Sequence, residues 1–291
     1  MCGIVGIHLK TPGLESRLGE LMVPMLGALA VRGPDSTGIA VYRRDVPADR
    51  LKFSLQAQGD RVDWDTLADH MGEGATVRVA GDSAVLVTPS AAPDVLAAIP
   101  PGVRVVGWGR AIEVVKDVGD AATVSERYGI AEVAGYQGIG HTRMATESAV
   151  TTEHSHPFAP GADLAFVHNG SFSNHATIRR RLALEGVRFE TDNDSEVAAR
   201  FVARQVEEGK DLGDALRMVL KTFDGFFTLL VANEDQFAVV RDSFACKPLV
   251  VAETPEYVAV ASEYVALGDL PGIARARVFE PMPEELHVWS R

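Results

Sequence analysis

The hydrophobic pattern of the N-terminal part changes from a short strand to a helical stripe. Residues 3–9 are apolar and rich in β-branched side chains, which predicts a buried strand. Leucines and methionines recur at three- and four-residue spacing between residues 18 and 29, which predicts a helix packed on a sheet, with a kink at Pro24. A second strand is predicted at 38–42. Residues 32–38, rich in turn formers, would connect helix and strand.

The second half of the chain carries helical patterns first and strand patterns later. Helices are predicted at 174–185 and 195–208, each with Asn or Asp near its start and Gly after its end, and a third at 212–223. Strands are predicted at 226–232, 236–241, 249–252 and 257–261. This order predicts an α+β protein in which sheet packs against sheet, with helices outside.

The segment from 43 to 135 lacks such long periodic stretches. Pro, Ala, Asp and Gly separate short helical pieces (64–71, 93–99, 124–128) and short strand pieces (76–79, 103–106, 112–115). The segment could be an inserted subdomain that docks a partner, but loop statistics favour a decorated loop region. We therefore expect one domain over residues 1–291 with an insertion at about 43–135.

Charge and cysteine content narrow the class of protein. The formal net charge is -12 and the pI is about 5.1, which argues against nucleic acid or an anionic membrane as the main partner. Two cysteines give no disulfide framework and indicate a reducing compartment. No run of eighteen apolar residues and no secretory leader is present, so we expect a cytoplasmic protein that does not span a membrane.

Cys2 is the first candidate for chemistry because it follows Met1 directly. Removal of Met1 would place a thiol and a free α-amino group on one residue. A free thiol has a pKa of about 8.5 and needs a base, whereas an α-amino group has a pKa of about 7.7–8.0. Cysteines more often pack as small apolar residues, so the other polar clusters must decide whether Cys2 is a nucleophile.

Two polar clusters follow in the middle of the chain. Arg143 stands among small and hydroxylated residues at 140–146, an arrangement that suits bidentate capture of a carboxylate, although a surface ion pair is the common role of a single Arg. Asn169 and Gly170 follow the apolar run 164–167. They could aim a side-chain amide and a backbone N–H at an oxyanion, or they could form an ordinary Asn-Gly turn.

Two further clusters lie towards the C-terminus, and one histidine pair raises the question of a metal. Asp194 stands where a helix is predicted to begin, so it could cap that helix or bind an ammonium group. Residues 241–249 are predicted to turn over the site, with Cys246 as a packed core thiol. His154 and His156 are two residues apart, but no Cys or His group completes a zinc pattern, and we assign no metal.

Taken together, these clusters resemble the class II glutamine amidotransferases, whose glutaminase domain belongs to the N-terminal nucleophile hydrolases. The resemblance covers nearly the whole chain except 43–135. Each motif alone is weak, but five in family order are specific. They are Cys2-Gly3-Ile4-Val5-Gly6, Arg32-Gly33-Pro34-Asp35-Ser36-x-Gly38, Gly140-His141-Thr142-Arg143, His168-Asn169-Gly170 and Asp194-Ser195-Glu196.

The resemblance implies a four-layer αββα sandwich and a catalytic set. Cys2 would be the nucleophile, with its own α-amine as base, acting through water. The Asn169 amide and the Gly170 N–H would hold the oxyanion of the tetrahedral intermediate. The thioester would then hydrolyse to glutamate and release ammonia. Met144 departs from the Trp of several relatives, so packing over bound glutamine would be looser.

The same resemblance implies a substrate-binding set. Arg143 would bind the α-carboxylate of glutamine, assisted by Thr146. Asp194 would bind the α-ammonium group, with His168 beside the substrate. Arg32 would brace the loop around Cys2.

Several stretches, including residues 140–156, resemble the stand-alone amidotransferase subunits related to glutamate synthase. One such protein is the amidotransferase subunit of methylamine-glutamate N-methyltransferase (N-methylglutamate synthase), which acts in methylamine utilisation. The resemblance implies no cofactor in this chain. It also implies two partners, namely a β-helix subunit, and another that carries FMN and an iron-sulfur cluster, to which ammonia would pass through a tunnel. A sister group that acts with an atypical glutamine synthetase in nitrogen assimilation is the alternative.

Two hypotheses from other classes stay open at this point. The chain could bind glutamine as a sensing or scaffolding subunit without cleaving it, which retention of Met1 would indicate. It could also be a self-processing amidase or peptidase of the same superfamily. Such enzymes usually carry a propeptide before the nucleophile, and here only Met1 precedes Cys2.

Overall fold

The structure is a computed structural model that describes residues 2–59, 62–145 and 149–291. The elements of the N-terminal half are β1 (Gly3–Leu9), α1 (Leu18–Ala28), β2 (Ser36–Tyr42), β3 (Leu51–Ala57), α2 (Trp64–His70), β4 (Thr76–Ala80), β5 (Ser83–Thr88), α3 (Ala92–Ala98), β6 (Val103–Gly109), β7 (Ile112–Val118) and α4 (Ala121–Arg127). Those of the C-terminal half are β8 (Gln137–Arg143), β9 (Ala165–Phe172), α5 (His175–Leu184), α6 (Asp194–Glu207), α7 (Leu212–Thr222), β10 (Gly225–Ala232), β11 (Gln236–Arg241), β12 (Val250–Glu253), β13 (Tyr257–Ala261), β14 (Arg277–Phe279) and β15 (Leu286–Ser290).

In the part of the chain that the structure describes, these strands form three antiparallel sheets. The large sheet has the order β14-β12-β13-β1-β8-β2-β7, and the second sheet has the order β15-β11-β10-β9. Apolar side chains such as Ile4 of the large sheet and Leu230 and Phe237 of the second sheet share one buried cluster between them. The two sheets therefore pack face to face, with β1 near the middle of the large sheet.

Helices cover the outer face of each sheet. Met25 of α1 and Val124 of α4 belong to one apolar cluster with Ile7 of the large sheet. Helices α5, α6 and α7 pack on the second sheet through a separate cluster that includes Phe201 and Leu229. Burying one such side chain stabilises the fold by roughly 1.5–3 kcal/mol, so the apolar stripes determine where the helices dock. The predicted αββα sandwich is confirmed.

Residues 51–59 and 62–109 form a folded unit with their own sheet, which we call the inserted unit. Its elements follow the order β3-α2-β4-β5-α3-β6, and its strands are arranged β4-β5-β3-β6, which is the ferredoxin-like arrangement. Phe53, Leu55 and Leu86 lie in its own apolar core under α2 and α3. This segment is therefore not a set of decorated loops, and β7 and α4, which follow it, belong to the sandwich.

The inserted unit packs on strand β7 through buried polar side chains. The Nζ of Lys52 lies 2.7 Å from Asp45 Oδ1 and 3.2 Å from Glu113 Oε1. The backbone N–H of Val114 donates to Ser54 Oγ at 2.8 Å. These contacts fix the unit against the edge of the large sheet.

The helices use their apolar side chains for packing. Helices α1, α4, α5, α6 and α7 pack on the two sheets of the sandwich, and α2 and α3 pack on the sheet of the inserted unit. Among the described residues, no helix combines the length and the apolar character that crossing a bilayer requires.

Candidate active site

A cavity of about 340 Å³ opens where β1 begins, β8 ends and α6 begins. The pairing of the strands explains why these places meet. Gly3 of β1 pairs with Thr142 of β8, so Cys2 lies opposite Arg143 at the same edge of the large sheet. Six of the predicted site residues line this cavity: Cys2, Arg143, His168, Asn169, Gly170 and Asp194.

Cys2 is partly exposed in the cavity wall, and its backbone is held in place. Its carbonyl oxygen accepts hydrogen bonds from Arg32 Nε and from Asn169 Nδ2, both at 3.1 Å. Arg32 does not line the cavity, and its guanidinium also pairs with Glu263. The backbone N–H of Met144 lies 3.5 Å from Cys2 Sγ. Cys2 therefore stands at a fixed position with its sulfur at the cavity surface.

Asn169 and Gly170 lie inside strand β9 and not in a turn. The strand continues to Phe172, and Gly170 pairs with Phe227 of β10. The Asn-Gly turn interpretation is therefore wrong, because pairing with β10 holds the backbone extended. Gly170 has φ +147°, and a Cβ at this position would lie 2.1 Å from the carbonyl oxygen of Phe226. Only glycine fits there.

Arg143 is the last residue of β8 and places a cation in the cavity although it is 5% exposed. Its Nη1 donates to the carbonyl oxygen of Ala149 at 3.0 Å. Burial lowers the pKa of Arg143, while Cys2 and Asp35 act in the opposite direction. A guanidinium stays charged in proteins, so this group can bind an anion. Thr146 lies outside the described residues, and its part in carboxylate binding stays a prediction.

Asp194 is the first residue of α6 and faces the cavity. Its Oδ2 accepts from the backbone N–H of Phe172 at 2.8 Å, and its Oδ1 accepts from Ser195 Oγ at 3.2 Å. The helix cap itself is Asn193, whose side chain accepts from the backbone N–H of Ser195 at 2.9 Å. The cap and the cavity carboxylate are thus different residues, which leaves Asp194 available to a ligand.

Three buried histidines lie at or next to the cavity. His141 and His156 stack with ring centroids 4.2 Å apart, and His141 Nε2 lies 3.0 Å from the carbonyl oxygen of His168. Burial lowers the pKa of His141 to about 3 and also lowers the pKa values of His156 and His168. All three are therefore neutral at neutral pH and can both donate and accept hydrogen bonds.

The two histidines for which a shared metal was considered have separate surroundings. His154 Nε2 lies 2.8 Å from Asp192 Oδ1, whereas His156 packs between His141 and Phe158. Residues 2–59, 62–145 and 149–291 contain no group of three or more His, Cys, Asp and Glu side chains placed to bind a metal ion.

The loop between β11 and β12 brings a lysine to the cavity that the motifs did not assign. Lys247 lines the wall, with its Nζ 5.1 Å from the ring centroid of Phe226. Cys246 is exposed, so the expectation of a packed core thiol is wrong; in this loop the buried apolar residue is Leu249. Further wall residues without an assigned role are Met144, His156, Ser171, His175, Asp192, Asn193 and Ser195.

Some of these wall residues carried a signal in the sequence. Asp192, Asn193 and Ser195 stand in the polar stretch around Asp194, and Lys247 stands in the stretch predicted to turn over the site. The sequence pointed to His156 only as one of two possible metal ligands, and nothing in the residues around it indicates that its ring packs at the cavity.

Comparison with known proteins identifies the family. The model of a glutamine amidotransferase domain matches residues 141–269. The chain is 47% identical, over its whole length and 98% of the relative, to the glutamine amidotransferase-like protein GlxB of Rhizobium meliloti (strain 1021). It is 31% identical to an amidophosphoribosyltransferase of Methanocaldococcus jannaschii, over 56% of this chain and 35% of that protein.

A solved structure agrees with these relatives at the level of the fold. Glutamine phosphoribosylpyrophosphate amidotransferase of B. subtilis superposes with a TM-score of 0.64 at 19% identity, over 100% of this chain and 49% of that one. The antiparallel sandwich, the cavity at the start of β1 and the full-length relative point to one family. The chain therefore belongs to the class II glutamine amidotransferases, which are N-terminal nucleophile hydrolases.

Proposed function

We propose that this chain hydrolyses the side-chain amide of glutamine to glutamate and ammonia, as the glutaminase half of an amidotransferase. One observation carries the proposal. The sulfur of Cys2, the amide of Asn169 and the opposite charges of Arg143 and Asp194 line a single cavity. Its volume of about 340 Å³ suits a small amino acid with water around it.

The reaction would begin at the amide carbon of glutamine. The sulfur of Cys2 would attack this carbon while the thiol proton moves to the α-amine of Cys2, freed by removal of Met1. The Asn169 amide carries two N–H donors, of which one is bound to the Cys2 carbonyl, so the second could meet the oxyanion together with the Gly170 N–H. The C–N bond would then break, and ammonia would leave with the proton.

The second half of the reaction would release glutamate. Water would attack the thioester carbonyl, the C–S bond would break, and the thiol would be regenerated. Arg143 and Asp194 would hold the α-carboxylate and the α-ammonium group through both steps, with His168 at the substrate. Arg32 would act indirectly, since it contacts the Cys2 backbone and not the cavity.

Glutamate release from L-glutamine by the purified protein tests the proposal directly. Cys2→Ala should lower the rate by on the order of 10³-fold or more because the nucleophile is absent. Cys246→Ser is the matched control and should keep the activity of the unchanged protein. Intact mass should show loss of Met1. Equal activity of the Cys2→Ala protein would refute the assignment, and retention of Met1 would favour a glutamine-binding subunit without catalysis.

A protein partner that receives the ammonia forms the second part of the proposal. Exposed apolar side chains that lie close in sequence to residues of the site support a partner over the mouth of the cavity, because exposed apolar surface can mark an interaction site. Val31 is 91% exposed next to Arg32, Phe244 is 74% exposed near Lys247, and Val265 is 64% exposed. We propose that partner subunits of the glutamate synthase type cover this mouth.

The narrower assignment is the amidotransferase subunit of methylamine-glutamate N-methyltransferase, and it rests on the sequence resemblance alone. FMN and the iron-sulfur cluster would then lie on a partner protein. Copurification of partners, followed by transfer of nitrogen from amide-labelled glutamine with and without methylamine, tests this role. Copurification with an atypical glutamine synthetase would favour the nitrogen-assimilation role instead. Loss of the label to bulk ammonia from the intact complex would argue against transfer through a tunnel.

A further inference from the structure

Ser195 connects two groups of the cavity wall through its hydroxyl. Its Oγ lies 2.8 Å from His168 Nδ1 and 3.2 Å from Asp194 Oδ1. Ser195 and His168 are 2% and 3% exposed, so water does not replace these contacts. The three side chains form one hydrogen-bonded unit, which we call the Asp194–Ser195–His168 relay.

The direction of the hydrogen bonds in the relay follows from the chemistry of its members. An ionised carboxylate can only accept, so the Ser195 hydroxyl must donate to Asp194. The hydroxyl has one hydrogen, and therefore its oxygen accepts from His168 Nδ1–H. Burial lowers the pKa of His168, with Asp194 opposing and Lys247 adding to this shift, so the ring is neutral at neutral pH. Nδ1 carries the proton, and Nε2 carries a lone pair.

The Nε2 atom of His168 has no partner among the described residues although it is buried. His168 lines the cavity, and its Nε2 lies 3.0 Å from the place that a Cβ on Gly170 would occupy. Buried polar atoms in proteins are nearly always satisfied by a partner, by water or by a ligand. This acceptor lies in the wall of the substrate cavity, where a ligand can supply the missing donor.

We propose that Ser195 fixes the tautomer of His168 so that Nε2 accepts a hydrogen bond from the α-ammonium group of the substrate. An ammonium group has three N–H donors and one positive charge. Asp194 balances that charge, and the neutral His168 adds a second acceptor without adding charge. The inference rests on the proposed glutaminase function, since it names the group of the amino acid that this wall recognises. Ser195 is a positioning residue in this scheme.

Binding of two ligands that differ by one group tests the relay. L-Glutamine carries the α-ammonium group, and glutaric monoamide is the same compound without it. Calorimetric titrations with the Cys2→Ala protein measure binding without turnover. Further substitution His168→Asn keeps a donor near Nδ1 and removes the acceptor at Nε2. It should weaken L-glutamine binding by about tenfold or more and leave glutaric monoamide unchanged.

Three companion variants separate positioning from folding. Ser195→Ala should weaken L-glutamine selectively, because the tautomer is no longer fixed, and Ser195→Thr should restore binding because it keeps the hydroxyl. His168→Gln can place an amide oxygen near the position of Nε2 and should weaken binding less than His168→Asn. Ser125→Ala is the matched control: Ser125 is also a buried serine, but it lies on α4, away from the cavity, and neither ligand should be affected.

The outcomes distinguish this inference from the function on which it rests. Equal weakening of both ligands by His168→Asn or Ser195→Ala would show a merely structural role and overturn the relay. Unchanged L-glutamine binding in both variants would overturn it as well. If the unchanged protein does not hydrolyse L-glutamine and the Cys2→Ala protein does not bind it, the glutaminase proposal fails and the relay fails with it.

Discussion

The cavity and the junction with the inserted unit both bury polar side chains, but they differ in whether those side chains have partners. At the junction, Lys52 pairs with two carboxylates and Ser54 accepts from a backbone N–H. In the cavity, His156 has no partner at either ring nitrogen among the described residues, and His168 has none at Nε2. Satisfied groups are explained by folding alone, whereas unsatisfied buried groups in a cavity point to a ligand. Substitutions should therefore affect stability at the junction and function in the cavity.

Among the substitutions that compare the two regions, Asn169→Ala should show the largest effect, and it should fall on catalysis. Loss of one oxyanion donor lowers kcat by about 10²–10³-fold in enzymes that stabilise an oxyanion. Initial rates of glutamate formation check this. Asn233→Ala, in the connection between β10 and β11, is the matched control and should keep kcat. A decrease in kcat of less than tenfold for Asn169→Ala would show that the oxyanion is held elsewhere. It would also weaken the contrast between a functional cavity and a structural junction.

Glu113→Gln should show the next largest effect, and it should fall on stability. Glu113 is 6% exposed and pairs with Arg43, Lys52 and Arg78. Removal of its charge leaves the buried Lys52 with Asp45 as its one carboxylate partner among the described residues, beside a hydrogen bond to the carbonyl oxygen of Arg43. Breaking a buried ion pair typically costs about 3–5 kcal/mol. Because the pair with Asp45 remains, we expect this variant to lose about 3 kcal/mol of the free energy of unfolding. Urea unfolding measures the change.

The kinetic constants of the same variant complete that test. The KM for L-glutamine should stay within about twofold of the unchanged protein, because Glu113 does not line the cavity. As a surface control, Glu20→Gln removes an exposed ion pair with Arg17 and should leave the free energy of unfolding nearly unchanged, because solvent screens such a pair. A large change in KM with little change in stability would contradict the view that the junction serves stability and the cavity serves function.

Lys116→Met comes last because its effect on stability depends on pH and is spread over several pH units, with at most about 1.4 kcal/mol in each. Lys116 lies on β7, and its Nζ donates to the carbonyl oxygen of Ser155 at 2.8 Å. Burial lowers the pKa of Lys116 to about 7, whereas an unfolded chain has a lysine pKa of about 10.4. Between these values the unfolded state binds more protons, so this lysine makes stability rise with pH, by at most about 1.4 kcal/mol per unit.

The measurement is a series of urea unfolding curves at several pH values from 6 to 10. The free energy of unfolding of Lys116→Met, minus that of the unchanged protein, should be most positive below pH 7 and should decrease as the pH rises. Other titrating groups are common to both proteins and cancel in the difference. Parallel pH profiles would show that Lys116 keeps its ordinary proton affinity in the folded state.

The sequence predicted the sandwich because its elements are regular. The apolar stripe of α1 and the β-branched run of β1 appear in the predicted places, and strand β11 matches the predicted range 236–241. Periodicity reports burial directly, so such elements are visible in one sequence. The inserted unit was harder to predict because its short strands pair across long separations, as β3 does with β6.

The site was predictable where chemistry is tied to a motif. Cys2, Arg143 and Asp194 meet in the cavity as the motifs imply. His156 reaches the cavity through the path of a loop, which no local pattern encodes. The predicted turn at 241–249 brought Lys247 near the site without indicating that its side chain lines the cavity. The exposed position of Cys246 and the extended backbone at Asn169 depend on neighbouring segments in the same way, since tertiary pairing can override a local turn preference.

The backbone at Gly170 has a consequence for any exhaustive substitution survey of this chain. A side chain there would collide with the carbonyl oxygen of Phe226, so every replacement would damage strand β9 whatever the chemistry requires. Loss of function on substitution of Gly170 would then give no information on its role in catalysis. Its neighbour Asn169 already carries a side chain in this strand and is not among the residues with positive φ, so its backbone does not by itself require glycine. The tolerance profile of Asn169 is therefore the one that reports selection for an active protein.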